Sequence, residues 1–215
     1  MLTRQPILSK PTIKALLALT KTRCQAADHA LRPPISPGKI YQLNGMLLGA
    51  ESLRSLLPKD LRYVIVGGIA SAQYQPTRFT EVIDLMVLAE ASATAEKALR
   101  RAGWTQLGVI SFGGSSWQSP QGELIDLLHA PSETWVSAAL ATPIKTPEGL
   151  RIIDLPYLLI LKLSATRAVD ISDIVGMLQH ASDAEKQRIR HVIQTYRSDL
   201  LEDFEQFRAI AQLNP

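Results

Sequence analysis

The residues in this sequence that are best suited to do chemistry are two aspartates in apolar surroundings, Asp84 and Asp126. Asp84 lies in "TEVIDLMV" at residues 80–87, and Asp126 lies in "GELIDLL" at residues 122–128. A carboxylate on an apolar strand either accepts backbone hydrogen bonds or binds a hard cation such as Mg²⁺. The residue types alone leave both roles open.

A pair of adjacent glycines, Gly67 and Gly68, follows the β-branched run "YVIV" at residues 63–66. The run predicts a short strand that ends at the glycines. Backbone that lacks a side chain can approach a phosphate closely, and a helix that begins here would aim N–H groups at the same ligand. A glycine pair after a strand is also an ordinary tight turn, so this feature does not define a site by itself.

In their order and spacing, these segments resemble the nucleotidyltransferase fold superfamily, the group related to DNA polymerase beta. The signature of that family is a hydrophobic residue, Gly, Gly or Ser, a gap, and then a strand that reads Asp-h-Asp-h, where h is hydrophobic. "VGG" at residues 66–68 and "IDL" at residues 83–85 match it, and Arg78 and Thr80 in "RFT" are similar to bacterial members. The resemblance extends over residues 60–180.

The segment "LPYLLILKLSATRAVDISDIVGML" at residues 155–178 resembles the C-terminal helical signature of the minimal and AbiEii-type nucleotidyltransferases. Lys162, Arg167, Asp170 and Asp173 match its polar positions. Structural interpretations stand beside this one. Asp170 followed by Asp173 is typical of an N-cap with an acidic third helical position, and Lys162 could extend along an apolar helix to solvent.

What the resemblance implies is metal-dependent transfer of a nucleotide from a nucleoside triphosphate (NTP) to an RNA, a protein or a small acceptor. It also implies Mg²⁺ as cofactor and a toxin–antitoxin or defence setting with an antitoxin-type partner. By resemblance, Asp84 and Asp126 hold the metal. The residues it assigns to catalysis are Asp84, Asp126 and Lys162, and those it assigns to nucleotide binding are Gly67, Gly68, Arg78, Thr80, Lys162 and Asp170.

Val82 departs from the family pattern, because it stands where the first Asp of the pair is expected. Side chains alternate along a strand, so Val82 and Asp84 should point to one side and Glu81 to the other. Mg²⁺ demands near-octahedral oxygen coordination, so transfer should be impaired when two carboxylates replace three. A one-residue bulge that turned Glu81 inward would supply the missing carboxylate.

Two further hypotheses come from other classes of protein. The first is a non-catalytic module of the same fold that binds a nucleotide or a partner, and Val82 motivates it. The second is a structural interaction module that uses a basic N-terminal helix and the helical C-terminus. Residues 1–57 hold eight Lys and Arg against Asp28 and Glu51, which is consistent with an organelle transit peptide, an RNA-attracting segment or a solvated basic face.

The elements around these residues predict an α+β fold, namely a small mixed β-sheet nucleotidyltransferase core flanked by helices, with a helical C-terminal part. The predicted domains are a helical N-terminal extension (1–57), the core (58–150) and a helical C-terminal region (151–215). Strands are predicted at 63–66, 82–88, 107–112 and 124–128, with a Gly-Gly-Ser-Ser turn between the last two. Helices are predicted at 11–30, at 42–57, at 91–103 and from 154 onward.

The amino-acid composition limits the classes of protein to which this chain can belong. The chain has 215 residues, of which 46% are hydrophobic and 20% charged, as is usual for a globular protein. A net charge of +3 excludes a strong overall field for polyanions, and one cysteine, Cys24, excludes an internal disulfide and a multi-cysteine zinc site. Apolar runs are too short to span a bilayer, so we expect no membrane partner. The single cysteine is typical of a reducing setting, so we expect a cytoplasmic location.

Overall fold

A computed structural model of the chain describes residues 50–76, 80, 82–111 and 113–213. The chain divides into two compact units, one with the described residues up to Leu158 and one with those from Leu159 onward. The predicted helix at residues 11–30, and the positions of Arg78 and Glu81, lie outside the described residues.

The first unit contains a mixed β-sheet. Its strands are β1 (Val64–Ile65), β2 (Val82–Leu88), β3 (Thr105–Val109), β4 (Gly114–Gln118), β5 (Leu124–Ala130), β6 (Ile144–Lys145) and β7 (Arg151–Ile152). In the described part of the chain they form one seven-stranded sheet in the order β3-β4-β5-β2-β1-β7-β6. The pairs β2–β5 and β1–β7 are parallel, and the other neighbours are antiparallel. The predicted α+β class with a mixed sheet is confirmed.

The two faces of the sheet centre differ in burial, because side chains alternate along each strand. One face is apolar and closed. Six of its residues on β2, β4 and β5 are at most 2% exposed and form the core of this unit: Ile83, Leu85, Val87, Trp117, Ile125 and Leu127. The other face carries mostly half-buried residues, which include Val82, Asp84 and Asp126. The residues with chemistry therefore lie on the more open face.

Four helices accompany the sheet in the described part of this unit: α1 (Ala50–Leu56), α2 (Gly67–Ser71), α3 (Ser92–Arg101) and α4 (Thr134–Ala141). Helix α3 places Glu96 against the closed face, where the Ser115 hydroxyl donates to it at 3.0 Å. Trp104, Trp117 and Trp135 are at most 6% exposed, so all three pack in the core.

Several predicted strand boundaries are wrong. The Gly-Gly-Ser-Ser segment was predicted to be a turn, but Gly114 begins β4 and the turn lies earlier, where the N–H of Gly113 donates to the carbonyl of Ile110 at 3.0 Å. The strand predicted at 107–112 accordingly ends at Val109. Serine is a common turn residue, but Ser115 faces the core here because Glu96 accepts its hydroxyl hydrogen bond. The two-residue strands β6 and β7 are too short to show an alternating pattern.

The C-terminal region is helical, as predicted. Its helices are α5 (Leu155–Ala165), α6 (Ala168–His180), α7 (Asp183–Tyr196) and α8 (Leu201–Gln212). The start of α7 is fixed by a reciprocal cap, in which Ser182 accepts from the N–H of Glu185 and Glu185 accepts from the N–H of Ser182. The buried residues of the second unit include Leu163, Ile174, Leu178, Ile193, Phe204 and Phe207. Within the described residues, no helix is long and apolar enough to cross a membrane.

Candidate functional site

Asp84 and Asp126 lie side by side on neighbouring strands. They are direct register partners in the parallel pair β2–β5, so they share one row and one face of the sheet. Adjacent strands are about 4.8 Å apart, which keeps the two side chains within reach of one small ligand. Both residues are half-buried. Like charges directly opposite each other on a sheet are unfavourable, and a bound cation would relieve their repulsion.

Gly67 lies directly against Asp84. A Cβ atom at position 67 would overlap the carboxylate of Asp84, and the φ angle of Gly67 is +62°, which other residues rarely adopt. The N–H of Val66 donates to the carbonyl of Asp84 at 2.9 Å and fixes the turn against β2. The glycine turn and the Asp84 carboxylate therefore form one continuous surface.

Gly68 brings Thr80 to the same turn. A Cβ atom at position 68 would lie 3.0 Å from Cβ of Thr80, which is tighter than most real Cβ contacts. The Thr80 hydroxyl donates to the carbonyl of Val82 at 3.2 Å, immediately before the acidic row. A role for Thr80 in nucleotide binding stays a prediction.

Ser116 is a site residue that the sequence reasoning missed. It is the register partner of Asp126 in the antiparallel pair β4–β5, and its Oγ donates to Oδ1 of Asp126 at 2.6 Å. The predicted Gly-Gly-Ser-Ser turn, which includes Gly114, Ser115 and Ser116, is the reason that Ser116 is absent from the predicted site. The signal that could have revealed it is the alternation of polar and apolar residues from Ser116 through Trp117 to Gln118, shortly before the next strand.

The row of the sheet before the acidic pair is apolar. Val82 pairs with Leu124 there, and both residues are half-buried. Val82 offers no oxygen, and Glu81 lies outside the described residues. In the part of the chain that the structure describes, no group of three or more His, Cys, Asp or Glu side chains is arranged to hold a metal ion.

Among the described residues, the carboxylates at this site could hold one Mg²⁺ ion. In nucleotide sites Mg²⁺ is commonly held by one or two carboxylates, while phosphates and water complete its coordination. Asp84 and Asp126, abreast in one row of the sheet, match that requirement. A second ion would need a further carboxylate, and Val82, which precedes Asp84 on the same face of β2, supplies none.

A buried ionic cluster surrounds Lys162 in the second unit. The Lys162 Nζ atom lies 3.3 Å from Oδ1 of Asp170 and 2.7 Å from Oδ2 of Asp173, and its side chain is 5% exposed. The alternative in which Lys162 extends to solvent is therefore wrong. Two carboxylates hold the ammonium inside the protein, which gives Lys162 a structural role.

Arg167 completes this cluster at the start of α6. It is the N-cap residue, so the alternative that assigned the N-cap to Asp170 is wrong. Asp170 occupies the third helical position and accepts from the Arg167 backbone N–H at 3.3 Å and from Arg167 Nε at 2.7 Å. Burial acts to raise the pKa of Asp170, but the hydrogen bonds from Arg167 and the charge of Lys162 together hold it below its ordinary value.

The predicted site residues are therefore distributed over both units. Asp170 pairs with Lys162 in the second unit, and a nucleotide contact by either residue stays a prediction. Arg78 lies outside the described residues. The residues that the structure brings together on the first unit are Gly67, Gly68, Thr80, Asp84 and Asp126.

Comparisons with known proteins give distant likenesses. No family model matches the chain, and no curated protein matches it. The chain is similar to the antibiotic-resistance factor ANT(2″)-Ia in solution, with 17% identity and a TM-score of 0.40 over 76% of this chain and 88% of that chain. It is also similar to crystalline ANT(2″)-Ia in complex with adenylyl-2″-tobramycin, with 16% identity and a TM-score of 0.41 over 76% of this chain and 93% of that chain. Likeness at these TM-scores does not establish a shared activity, so the function has to be inferred from the residues of this chain.

Proposed function

We propose that this chain is a nucleotidyltransferase-fold protein that binds an NTP together with Mg²⁺ and transfers the nucleotide with impaired efficiency. The observation that carries the proposal is the register pairing of Asp84 with Asp126 beside the Gly67 turn. The acceptor class is an RNA, a protein or a small molecule. Activity is impaired because Val82 supplies no ligand.

The glycine turn and the carboxylate pair have complementary roles in this proposal. Gly67 lets the Asp84 carboxylate lie directly against the backbone of the turn, because a side chain at position 67 would collide with it. Phosphates that approached the turn would meet two negative side chains, Asp84 and Asp126, and would be repelled in the absence of a cation. We therefore expect NTP binding to require a divalent cation, while the carboxylate pair binds the cation without NTP.

Asp84 and Asp126 would hold Mg²⁺ between the protein and the phosphates. The chemistry that Mg²⁺ supplies when bound is neutralisation of phosphate charge and polarisation of the phosphoryl group that is transferred. Ser116 keeps one oxygen of Asp126 hydrogen bonded. The backbone at Gly67, which is half-buried, would lie beside the phosphate chain. Gly68 is buried against Thr80 and would hold the turn in place.

Val82 limits what this site can do. It is half-buried, apolar and in line with Asp84 on the same strand. Two-metal transfer uses one ion to activate the attacking hydroxyl and a second to stabilise the leaving group. With two carboxylates in place of three, the site retains groups for nucleotide binding and lacks a ligand for the second ion.

The second candidate function is a non-catalytic module of the same fold, and Val82 is the observation that favours it. Such a module would bind an NTP or a partner protein and would not transfer the nucleotide. A toxin–antitoxin setting with an antitoxin-type partner belongs to the first proposal, and its support is the sequence resemblance at residues 155–178. A cytoplasmic location also belongs to it, and its support is the single cysteine, Cys24.

The test compares the unmodified chain with Val82→Asp and Val82→Asn. Each protein is incubated with Mg²⁺, each α-labelled NTP, and an extract that contains RNA and protein. Val82→Asn is the matched control, since it has nearly the size of aspartate and no charge. We expect strong labelling with Val82→Asp, weak labelling with the unmodified chain and with Val82→Asn, and loss of labelling when Asp84→Asn is added.

Three results separate the alternatives. Labelling by Val82→Asp that depends on Asp84 supports an impaired transferase. Mg²⁺-dependent NTP binding in a calorimeter, without labelling by any variant, supports the non-catalytic module and overturns the transferase. If the unmodified chain and Val82→Asp both show no labelling and no NTP binding, the transferase and the non-catalytic nucleotide-binding module are both overturned.

A further inference from the structure

We infer that Ser116 is a positioning residue that orients the Asp126 carboxylate for cation binding. The inference rests on the proposed function, because it concerns the same acidic pair. It adds a residue from β4, a strand that the sequence motif does not include. The site would then be built from three adjacent strands of the sheet, β4, β5 and β2.

The hydrogen bond from Ser116 to Asp126 has the geometry of a strong, charge-assisted contact. The distance from Oγ to Oδ1 is 2.6 Å, within the range of about 2.5–2.7 Å that is usual when a hydroxyl donates to an ionised carboxylate. The two residues are direct register partners, so the sheet itself sets their separation. Both are half-buried on the open face.

This contact restrains the side chain of Asp126 and leaves most of its acceptor positions available. A carboxylate has two oxygens and about four acceptor positions, and one serine hydroxyl occupies a single position. The remaining positions can coordinate a cation while the hydrogen bond prevents rotation of the carboxylate. Partners of this kind behind a metal-binding carboxylate typically change metal affinity by about 10-fold to 100-fold when they are removed.

The neighbouring serine, Ser115, offers a natural contrast. It is 1% exposed and points to the closed face of the sheet. Its Oγ donates to Oε1 of Glu96 at 3.0 Å and accepts from Nε1 of Trp117 at 2.8 Å. Consecutive residues of one strand therefore hold two different carboxylates, Asp126 on the open face and Glu96 in the core. Loss of the Ser115 hydroxyl should affect stability and leave cation binding unchanged.

The experiment measures Mn²⁺ affinity by electron paramagnetic resonance, with Mn²⁺ as the probe for the divalent ion. Four full-length proteins are compared: the unmodified chain, Ser116→Thr, Ser116→Val and Ser115→Ala. Threonine and valine have nearly the same shape and differ by the hydroxyl, and both are favourable on a strand. The same substitutions are also made in the Val82→Asp chain, where a third carboxylate should raise the affinity. Circular dichroism without metal reports whether each protein is folded.

We expect Ser116→Val to bind Mn²⁺ about 10-fold more weakly than the unmodified chain. Ser116→Thr and Ser115→Ala should bind with nearly unchanged affinity, although Ser115→Ala should unfold at a lower temperature. Equal affinity for folded Ser116→Val and Ser116→Thr would overturn the positioning role while leaving the proposed function intact. Absence of Mn²⁺ binding in both the unmodified chain and the Val82→Asp chain would overturn the proposed function, and the positioning role would fail with it.

Discussion

Gly67 and Asp84 lie so close together that one added methyl group would overlap the Asp84 carboxylate. The turn after β1 and the acidic strand β2 therefore form a single structural feature. Gly67 is needed both for its φ angle of +62° and for the space that it leaves. The first prediction separates these two requirements.

Replacing Gly67 by alanine should displace the Asp84 carboxylate and abolish Mn²⁺ binding. The left-handed backbone should also lower the free energy of unfolding by about 1–2 kcal/mol. Gly103→Ala is the matched control, because Gly103 has a φ angle of +83° and an added Cβ would meet only Cγ of Pro120, at an ordinary 3.5 Å. Urea unfolding and Mn²⁺ titration of both variants provide the measurement. If Gly67→Ala retains full Mn²⁺ affinity, the close contact does not govern the site.

Replacing Asp126 by asparagine should remove the effect of divalent ions on stability. A ligand that binds only the folded state at about 100 times its dissociation constant stabilises that state by about 2.7 kcal/mol. We therefore expect MnCl2 to raise the melting temperature of the unmodified chain and to leave that of Asp126→Asn unchanged. Without metal, Asp126→Asn should be as stable as the unmodified chain or slightly more stable, since it removes one of two adjacent like charges.

The control for this experiment is Asp60→Asn, which neutralises an exposed acid. It should respond to MnCl2 as the unmodified chain does. An equal rise in melting temperature for Asp126→Asn and the unmodified chain would show that the ion binds elsewhere.

Replacing Lys162 by methionine should strongly destabilise the protein. The change leaves the buried carboxylates of Asp170 and Asp173 without the cation that they share. Breaking a buried ion pair in this way typically costs about 3–5 kcal/mol. Lys186→Met is the control, because its partner Asp183 has a side chain that is 98% exposed, and exposed pairs contribute about 0–1 kcal/mol. The measurement is urea unfolding, and similar urea concentrations at the unfolding midpoint for the two variants would contradict the structural role of Lys162.

The pKa of Asp170 gives a prediction for acid stability. Because this pKa is lowered in the folded protein, the ionised carboxylate stabilises the fold at every pH above the ordinary value of 3.8, and this stabilisation is lost as pH falls below that value. Removing the Arg167 hydrogen bonds should raise the folded pKa. Arg167→Ala should therefore lose part of this stabilisation at neutral pH and show a smaller further loss between about pH 5 and pH 2.

Melting temperatures measured from pH 2 to pH 7 test this expectation. The control is Arg190→Ala, which removes a partner of the half-exposed Glu205. The difference in melting temperature between Arg167→Ala and the unmodified chain should be largest near neutral pH and should shrink in acid. A difference that stays constant across this range would show that Arg167 stabilises the fold without acting on Asp170.

Local sequence patterns predicted much of the fold. The α+β class, the strand at Asp84 and the helical C-terminal region are confirmed. Each could be predicted because it rests on a long apolar pattern or on Gly and Pro residues that mark the ends of the element. The sequence also placed Asp126 on a strand. It did not predict that this strand pairs in parallel with β2 and in register with Asp84, since register depends on tertiary packing.

The errors lie where a polar residue has an unexpected partner. Ser116 was assigned to a turn, because the hydrogen bond that places it depends on a carboxylate from another strand. The alternative in which Lys162 extends to solvent is wrong, because its two partners come from the next helix along the chain. In both cases the residue type was visible in the sequence, and the partner was not.

The parallel pairing of β2 with β5 also determines when the site can form. Parallel neighbours need a crossover connection, and here it runs through α3, β3 and β4. Closing so long a loop makes this pairing a non-local event in folding. On the ribosome, Asp84 emerges well before Asp126, and the nascent chain then holds half of the acidic pair. The appearance of divalent-ion binding would accordingly mark the moment at which β5 pairs with β2.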